Sequence, residues 1–191
     1  MASKEYFEGK SKLYYENYLN NKCTKKVRGI ILNDMGQILL LHSNKHNGFS
    51  IPGGTVEVNE SIRDTVIREA LEETGADVIP IKIVGKYYHT SKNFNYDGIT
   101  FDSDRVEYFY FCKFKGFKNN NLGLKGEFDA GDVALSFLDY EDVMNARLLK
   151  RDKSMIERAM NEFLLYKADE DNDFENFNKK PNQNKNFKTK K

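Results

Sequence analysis

Between Gly54 and Ala76 the chain reads GTVEVNESIRDTVIREALEETGA, a stretch that constrains fold and chemistry together. Cap-type side chains from Asn59 to Ser61 open a helix, and Gly75 closes it because glycine accepts the left-handed conformation that follows a helix end. Ile62, Val66, Ile67, Ala70 and Leu71 cover one side of that helix, which must therefore lie on another layer. Glu69, Glu72 and Glu73 stand three and four residues apart, so their carboxylates emerge together on one face. Such a triplet alone is an ordinary solvated face. Here it follows Pro52-Gly53-Gly54, a turn where the main chain can come close to a bound ion and offer a carbonyl oxygen. Clustered acids repel one another unless counter-charge arrives, and several carboxylate oxygens suit a hard divalent cation, Mg2+ or alternatively Mn2+. Arg68 lies four residues before Glu72, within ion-pair reach, and supports one of the acids. Glu57 and Glu60 brace the turn or reach outer waters.

The rest of the chain supplies strands and helices in alternation. Val27–Asn33 and Gln37–His42 flank Asp34-Met35-Gly36 and predict a hairpin. Ser43–Gly48 is loop-like, and Phe49–Ile51 is a brief strand. Ile81–Tyr88 and Val106–Phe114 predict longer strands separated by a loop from His89 to Arg105, long enough to be functional. Ala134–Leu138 predicts a further strand, Glu141–Leu149 a short helix and Ser154–Tyr166 a final amphipathic helix. This order indicates an α/β or α+β fold. Residues 5–20 have loosely helical spacing, so residues 1–25 read as an N-terminal helical extension, residues 26–167 as a single domain and residues 168–191 as a disordered polar tail.

Composition removes other classes. The chain has 191 residues, too few for two full catalytic domains. Its 30 Lys and Arg against 29 Asp and Glu leave a net charge of +1, which provides no global field for holding duplex DNA. No run approaches the length of a membrane helix, and the polar start MASKEYFEGK lacks a secretory signal, so the expectation is a cytoplasmic protein without a membrane partner. Cys23 and Cys112 lack metal-site spacing and read as reduced thiols. His42, His46 and His89 show no triad-like grouping, which favours direct attack by water over a covalent intermediate.

The Gly54–Ala76 stretch resembles the Nudix box, Gly-x5-Glu-x7-Arg-Glu-U-x-Glu-Glu-x-Gly-U with U apolar. Every specified position is filled: Gly54, Glu60, Arg68, Glu69, Ala70, Glu72, Glu73, Gly75 and Ala76. The resemblance implies an α/β/α sandwich with a mixed central sheet. It also implies hydrolysis of a nucleoside diphosphate linked to another group, with Mg2+ held by the box acids. By motif position Glu69 and Glu73 are metal ligands, Glu72 is a further ligand or water-activating group, and Gly53 gives a carbonyl. The family often draws one more acid from a loop after the box; Glu127, Asp129 and Asp132 are candidates, Glu127 preferred for its reach, and Glu107 competes.

A base-binding wall combines aromatic faces with hydrogen-bonding groups. Gly54, Phe49, Tyr88 and Arg105 are the chosen substrate contacts, with Phe94, Tyr96, Phe109, Lys45, Lys86 and Lys92 as further candidates. The downstream proline of many ADP-ribose hydrolases is missing, since Pro80 comes too soon, and so is the upstream motif of coenzyme A pyrophosphatases. A nucleoside triphosphate, oxidised forms included, is the leading substrate, followed by a nucleotide sugar or a capped RNA end. Competing readings are a nucleotide-sensing module that keeps the fold without turnover, and RNA 5'-end hydrolysis aided by the Lys-rich tail. A homodimer stays open.

Overall fold

The computed structural model describes residues 24–43, 48–96, 99–118 and 133–178. Among these residues six strands form one mixed sheet: β1 (Thr24–Leu32), β2 (Ile38–Ser43), β3 (Gly48–Ser50), β4 (Ala76–Tyr96), β5 (Ile99–Phe117) and β6 (Val133–Leu138). Hydrogen-bonded neighbours run β3-β2-β1-β5-β4, and β6 pairs with β2 off that path. β1 and β5 run parallel, while the remaining pairs are antiparallel. Among the described residues three helices pack on the sheet: α1 (Ile62–Thr74), α2 (Tyr140–Asn145) and α3 (Lys150–Asn178).

Alternation along β1 divides the core into two layers, because successive side chains of a strand point to opposite faces. Val27 and Ile31 pack with Val66 and Ala70 of α1, whereas Ile30 and Leu32 pack with Met155, Ile156, Ala159 and Phe163 of α3. β5 repeats the pattern, with Cys112 on the α1 side and Phe109 and Phe111 on the α3 side. A mixed sheet covered by helices on both faces is the sandwich expected from the sequence. Cys112 is a free, buried thiol whose pKa is pushed up by burial, in line with an unreactive side chain.

Several boundaries differ from expectation. The loop read from His89 to Arg105 is the outer half of a β4–β5 hairpin, paired through Thr90 with Asp104, Ser91 with Ser103 and Asn95 with Thr100. Its polar composition suggested a loop, but antiparallel pairing of local segments satisfies the backbone groups in order and overrides that signal. The helix expected at Glu141–Leu149 stops at Asn145, since Ala146 already has extended angles. α3 runs past Tyr166 to Asn178, into the stretch that composition marks as tail. Its extension is tied back to the sheet: Lys113 Nζ donates to Glu170 Oε1 at 2.9 Å, and Lys167 Nζ lies 3.3 Å from both Glu170 and Asp34. Hydrogen bonds from Lys113 and Tyr166 hold the Glu170 carboxyl down to about 2. The expected N-terminal helix, Cys23 and residues 179–191 lie outside the described residues. Among the described residues no helix is long and apolar enough to cross a membrane.

Candidate metal and catalytic site

The site starts from how α1 is held. Ser61 is its N-cap; the hydroxyl accepts from the Asp64 N–H at 3.0 Å and donates to the Asp64 carboxylate at 2.6 Å. At the other end Gly75 has φ 71° and its N–H donates to the Leu71 carbonyl at 2.9 Å. Both ends therefore match the caps that the sequence predicts. Arg68 is shared by three of the four box acids, Glu60, Glu69 and Glu72, while Glu73 turns to the glycine corner.

Arg68 grips Glu60 with two parallel bonds, Nε to Oε1 and Nη2 to Oε2, each 2.9 Å. Its Nη1 reaches Glu69 Oε1 at 3.0 Å and Glu72 Oε2 at 3.2 Å, and Nη2 also lies 3.3 Å from the Thr55 carbonyl. The fork geometry of a guanidinium permits this arrangement, and a lysine could not reproduce it. Burial works upward on the Glu60 pKa, but the hydrogen bonds from Arg68 and Thr65 outweigh it and leave the group below the ordinary carboxylate range. The lock is thus complete above the unfolded carboxylate pKa and is lost only as pH falls through the lower folded value. Sequence reading paired Arg68 with Glu72; the main partner is Glu60, which braces the turn into α1. Arg68→Ala should leave Glu60 and Glu69 without their shared partner and cost about 2 kcal/mol, lowering the melting temperature by about 4–8 °C in thermal denaturation followed by circular dichroism.

The glycine corner meets the acids directly. The Gly53 N–H donates to Glu73 Oε2 at 2.8 Å. Glu69 lies so close to Gly54 that a Cβ there would sit 2.1 Å from Glu69 Oε1, and at Gly53, where φ is 148°, a Cβ would sit 2.1 Å from the Val27 carbonyl oxygen. The corner runs beside β1, with the Gly29 N–H donating to the Pro52 carbonyl at 2.8 Å and the Val27 N–H to the Gly54 carbonyl at 2.9 Å. Glu69 is largely buried, and loss of solvent raises its pKa despite the nearby Arg68. Glu72 is the open member, with 46% of its side chain exposed.

This donor set fits a hard divalent cation. Glu69 and Glu73 meet a corner that carries the Gly53 carbonyl and excludes side chains, Glu72 is joined to Glu69 through Arg68, and a desolvated carboxylate gains from an added positive charge. As it stands, Arg68 holds Glu69 and Glu72, and the Gly53 N–H holds Glu73. Among the described residues no three His, Cys, Asp or Glu side chains are already drawn into a ligand cluster. Glu127, Asp129 and Asp132 lie outside the described residues. Glu107 does not join the acids: it is 1% exposed, with Oε1 2.9 Å from Arg28 Nε and Oε2 2.8 Å from Arg151 Nη1. Its carboxylate is held between two guanidinium groups.

The aromatic candidates are dispersed. Phe49 packs against the core on the α3 side, its ring 4.8 Å from that of His42. Tyr88 is 66% exposed, with Lys86 Nζ 5.8 Å from its ring. Its neighbours Tyr87 and His89 point to the opposite face, where Arg151 lies 5.4 Å from the Tyr87 ring. Phe109 is fully buried in the core. Phe94, Tyr96 and Lys92 lie in the outer hairpin, and Lys45 is outside the described residues. Gly54 lies at the corner with the acids.

Arg105 belongs to a charge cluster that sequence reading missed, made of Arg28, His89, Arg105, Glu107, Arg151 and Asp152. Arg151 Nη1 also contacts His89 Nε2, and Arg151 Nε is 3.2 Å from Asp152 Oδ1. Burial and then the neighbouring Arg105 and Arg151 hold the His89 pKa below its ordinary value. Burial raises the Asp152 pKa against the pull of Arg151. Glu107 is pushed upward by burial but ends below its usual range because of Arg28, Arg151 and Arg105. Arg105 Nε, Glu107 Oε2, Arg151 Nε and Asp152 Oδ1 are buried without a well-formed hydrogen bond. A signal was present: Arg28 interrupts the apolar run VRGIIL and Glu107 interrupts VEYFYF, and opposite charges in two buried strands call for each other.

A Nudix-domain family model matches residues 24–159, most of the chain, and places the protein in the Nudix family. From Bacillus subtilis (strain 168), the chain is similar to "Uncharacterized Nudix hydrolase YvcI", 36% identical over 63 residues, which are 33% of this chain and 40% of that protein. It is similar also to "Putative 8-oxo-dGTP diphosphatase YtkD" from the same organism, 31% identical over 84 residues, 44% of this chain and 52% of the relative. These alignments span about half of the relatives' length or less. Among solved structures, the Nudix hydrolase of Nitrosomonas europaea superposes with a TM-score of 0.54 at 21% identity, covering 72% of this chain and 88% of that one, which supports the shared fold.

Proposed function

We propose that the protein is a Nudix-type pyrophosphohydrolase, using Mg2+ (Mn2+ can replace it) to cleave a phosphoanhydride bond in a nucleoside diphosphate linked to another group. The observation that carries this reading is the contact between the box acids and the glycine corner: Glu69 against Gly54, and Glu73 on the Gly53 N–H. When bound, a divalent cation neutralises phosphate oxygens and lowers the pKa of an attacking water. Glu69, Glu73 and the Gly53 carbonyl hold it, with Glu72 as a further ligand and Glu127 as the ligand contributed from after the box. Arg68 keeps Glu69 and Glu72 on one side of α1. Glu72, the most solvent-open of the three, is suited to accept the proton of the attacking water.

The favoured substrate is a nucleoside triphosphate, oxidised bases included. The name of the matching segment's relative YtkD supports that choice. Arg105, whose buried Nε lacks a hydrogen bond, is proposed to meet a substrate anion or base, with Phe49 and Gly54 as further contacts, whereas Tyr88 faces the other side of the sheet. A phosphate- and pyrophosphate-release screen with Mg2+ should cover nucleoside triphosphates, 8-oxo-dGTP, ADP-ribose, nucleotide sugars and capped RNA. The expected result is Mg2+-dependent release, fastest with a nucleoside triphosphate. Binding of nucleotides without release from any of them would establish the sensing module instead, and release from capped RNA alone would establish RNA-end processing.

A further inference from the structure

We propose that Arg28 and Glu107 form a positioning pair that sets the Gly53 carbonyl for cation binding, acting from the face of the sheet opposite α1. The inference rests on the reading of the corner and the acids of α1 as a cation site. It starts from the carbonyl groups of the corner, which alternate in direction as the chain extends along β1. Pro52 and Gly54 turn theirs to the backbone N–H groups of Gly29 and Val27. Ile51 and Gly53 turn theirs away, and a single guanidinium takes both: Arg28 Nη1 lies 3.0 Å from the Ile51 oxygen and 3.3 Å from the Gly53 oxygen. The longer bond uses only part of the Gly53 acceptor capacity, since a carbonyl has two lone pairs, and leaves the oxygen able to bind a second partner.

Glu107 fixes which way that guanidinium faces. It takes Arg28 Nε at 2.9 Å, so the planar group is held at one edge while Nη1 points to the corner. Arg151, in the first turn of α3, holds the other Glu107 oxygen. A connected path thus runs from the start of α3 through Glu107 and Arg28 to Gly53, whose own N–H meets Glu73. Stability alone is a poor reason for the pair, because apolar residues in two buried strands match or exceed a buried ion pair in stability. The carbonyl bonds give it one: Arg28 and Glu107 act as positioning residues through Gly53.

The test is Mn2+ titration of the substrate-free full chain, followed by electron paramagnetic resonance, for wild type, Arg28→Lys, Glu107→Gln and Glu69→Gln, with thermal melts for each. Lysine keeps the charge and loses the fork; glutamine keeps the shape and loses the charge. Both positioning variants should remain folded and bind Mn2+ about 10-fold more weakly or worse, as happens when a partner behind a metal ligand is removed. At saturating Mg2+ their nucleotide KM should stay within about twofold of wild type, a split that general destabilisation would not produce. A folded Arg28→Lys that binds Mn2+ like wild type overturns the proposal, even if Glu107→Gln is impaired, because charge and not position would then be the cause. Should Glu107→Gln fail to fold, Arg28→Lys decides alone. If wild type binds no Mn2+, the cation site itself falls and the pair with it; if Glu69→Gln is weakened and Arg28→Lys is not, only the pair falls.

Discussion

Glu73→Gln should lower Mg2+-dependent turnover about 10³-fold, equivalent to about 4 kcal/mol of transition-state stabilisation, while the melting temperature stays near that of wild type. The amide oxygen of glutamine can still accept the Gly53 N–H, which Glu73 Oε2 now does at 2.8 Å. The corner therefore persists and only the negative charge is lost. Glu69→Gln should behave alike for a related reason: its oxygen can keep the Arg68 Nη1 bond, at 3.0 Å in the native protein, without the charge that a cation requires. Steady-state kinetics across Mg2+ concentrations check both variants. Near-normal hydrolysis by folded Glu73→Gln would remove it from the metal site.

The second large effect is expected at the corner. Gly53→Ala places a methyl 2.1 Å from the Val27 carbonyl oxygen and forces a side chain onto a residue with φ 148°. Neither contact can be relieved by rotating a side chain, because the obstacle is the backbone of β1. Overpacking and an unfavourable backbone conformation together should cost about 3 kcal/mol or more, a drop of about 6–12 °C in melting temperature for a chain of this size. Mn2+ affinity should fall as well, since the Gly53 carbonyl moves with the corner. A melting curve identical to wild type would show that the corner does not lie against β1 as described.

The parts of the site that were legible in the sequence are the local ones. Ser61, Gly75 and the spacing of Glu69, Glu72 and Glu73 act within a few turns of one helix, so their caps and shared face follow from helical geometry. The β-branched and aliphatic run from Val27 to Asn33 and the apolar run from Val106 to Phe114 likewise identified strands that proved to be neighbours in the sheet. What escaped depends on contacts between distant segments. Arg28 and Glu107 meet only because β1 and β5 run parallel, and Arg151 reaches them only because α3 begins over that face. The outer β4–β5 hairpin was hidden by its polar residues, whose pairing is decided by the partner strand and not by local preference. The C-terminal part of α3 looked like tail because its aliphatic residues vanish; Glu170 fastens it by ion pairs to Lys113 and Lys167, a stabilisation that hydrophobic periodicity does not register.

The claim on which all of this depends is that Glu69, Glu73 and the Gly53 carbonyl share one divalent cation. It is tested most directly by anomalous diffraction from crystals of the full chain grown with Mn2+ and a slowly hydrolysed nucleotide analogue. The account predicts a peak within coordination distance, about 2.0–2.6 Å, of both carboxylates and the carbonyl, with phosphate oxygens completing the shell. A peak held by other residues, with Glu69 still on Arg68 and Glu73 still on the Gly53 N–H beside bound nucleotide, would contradict it.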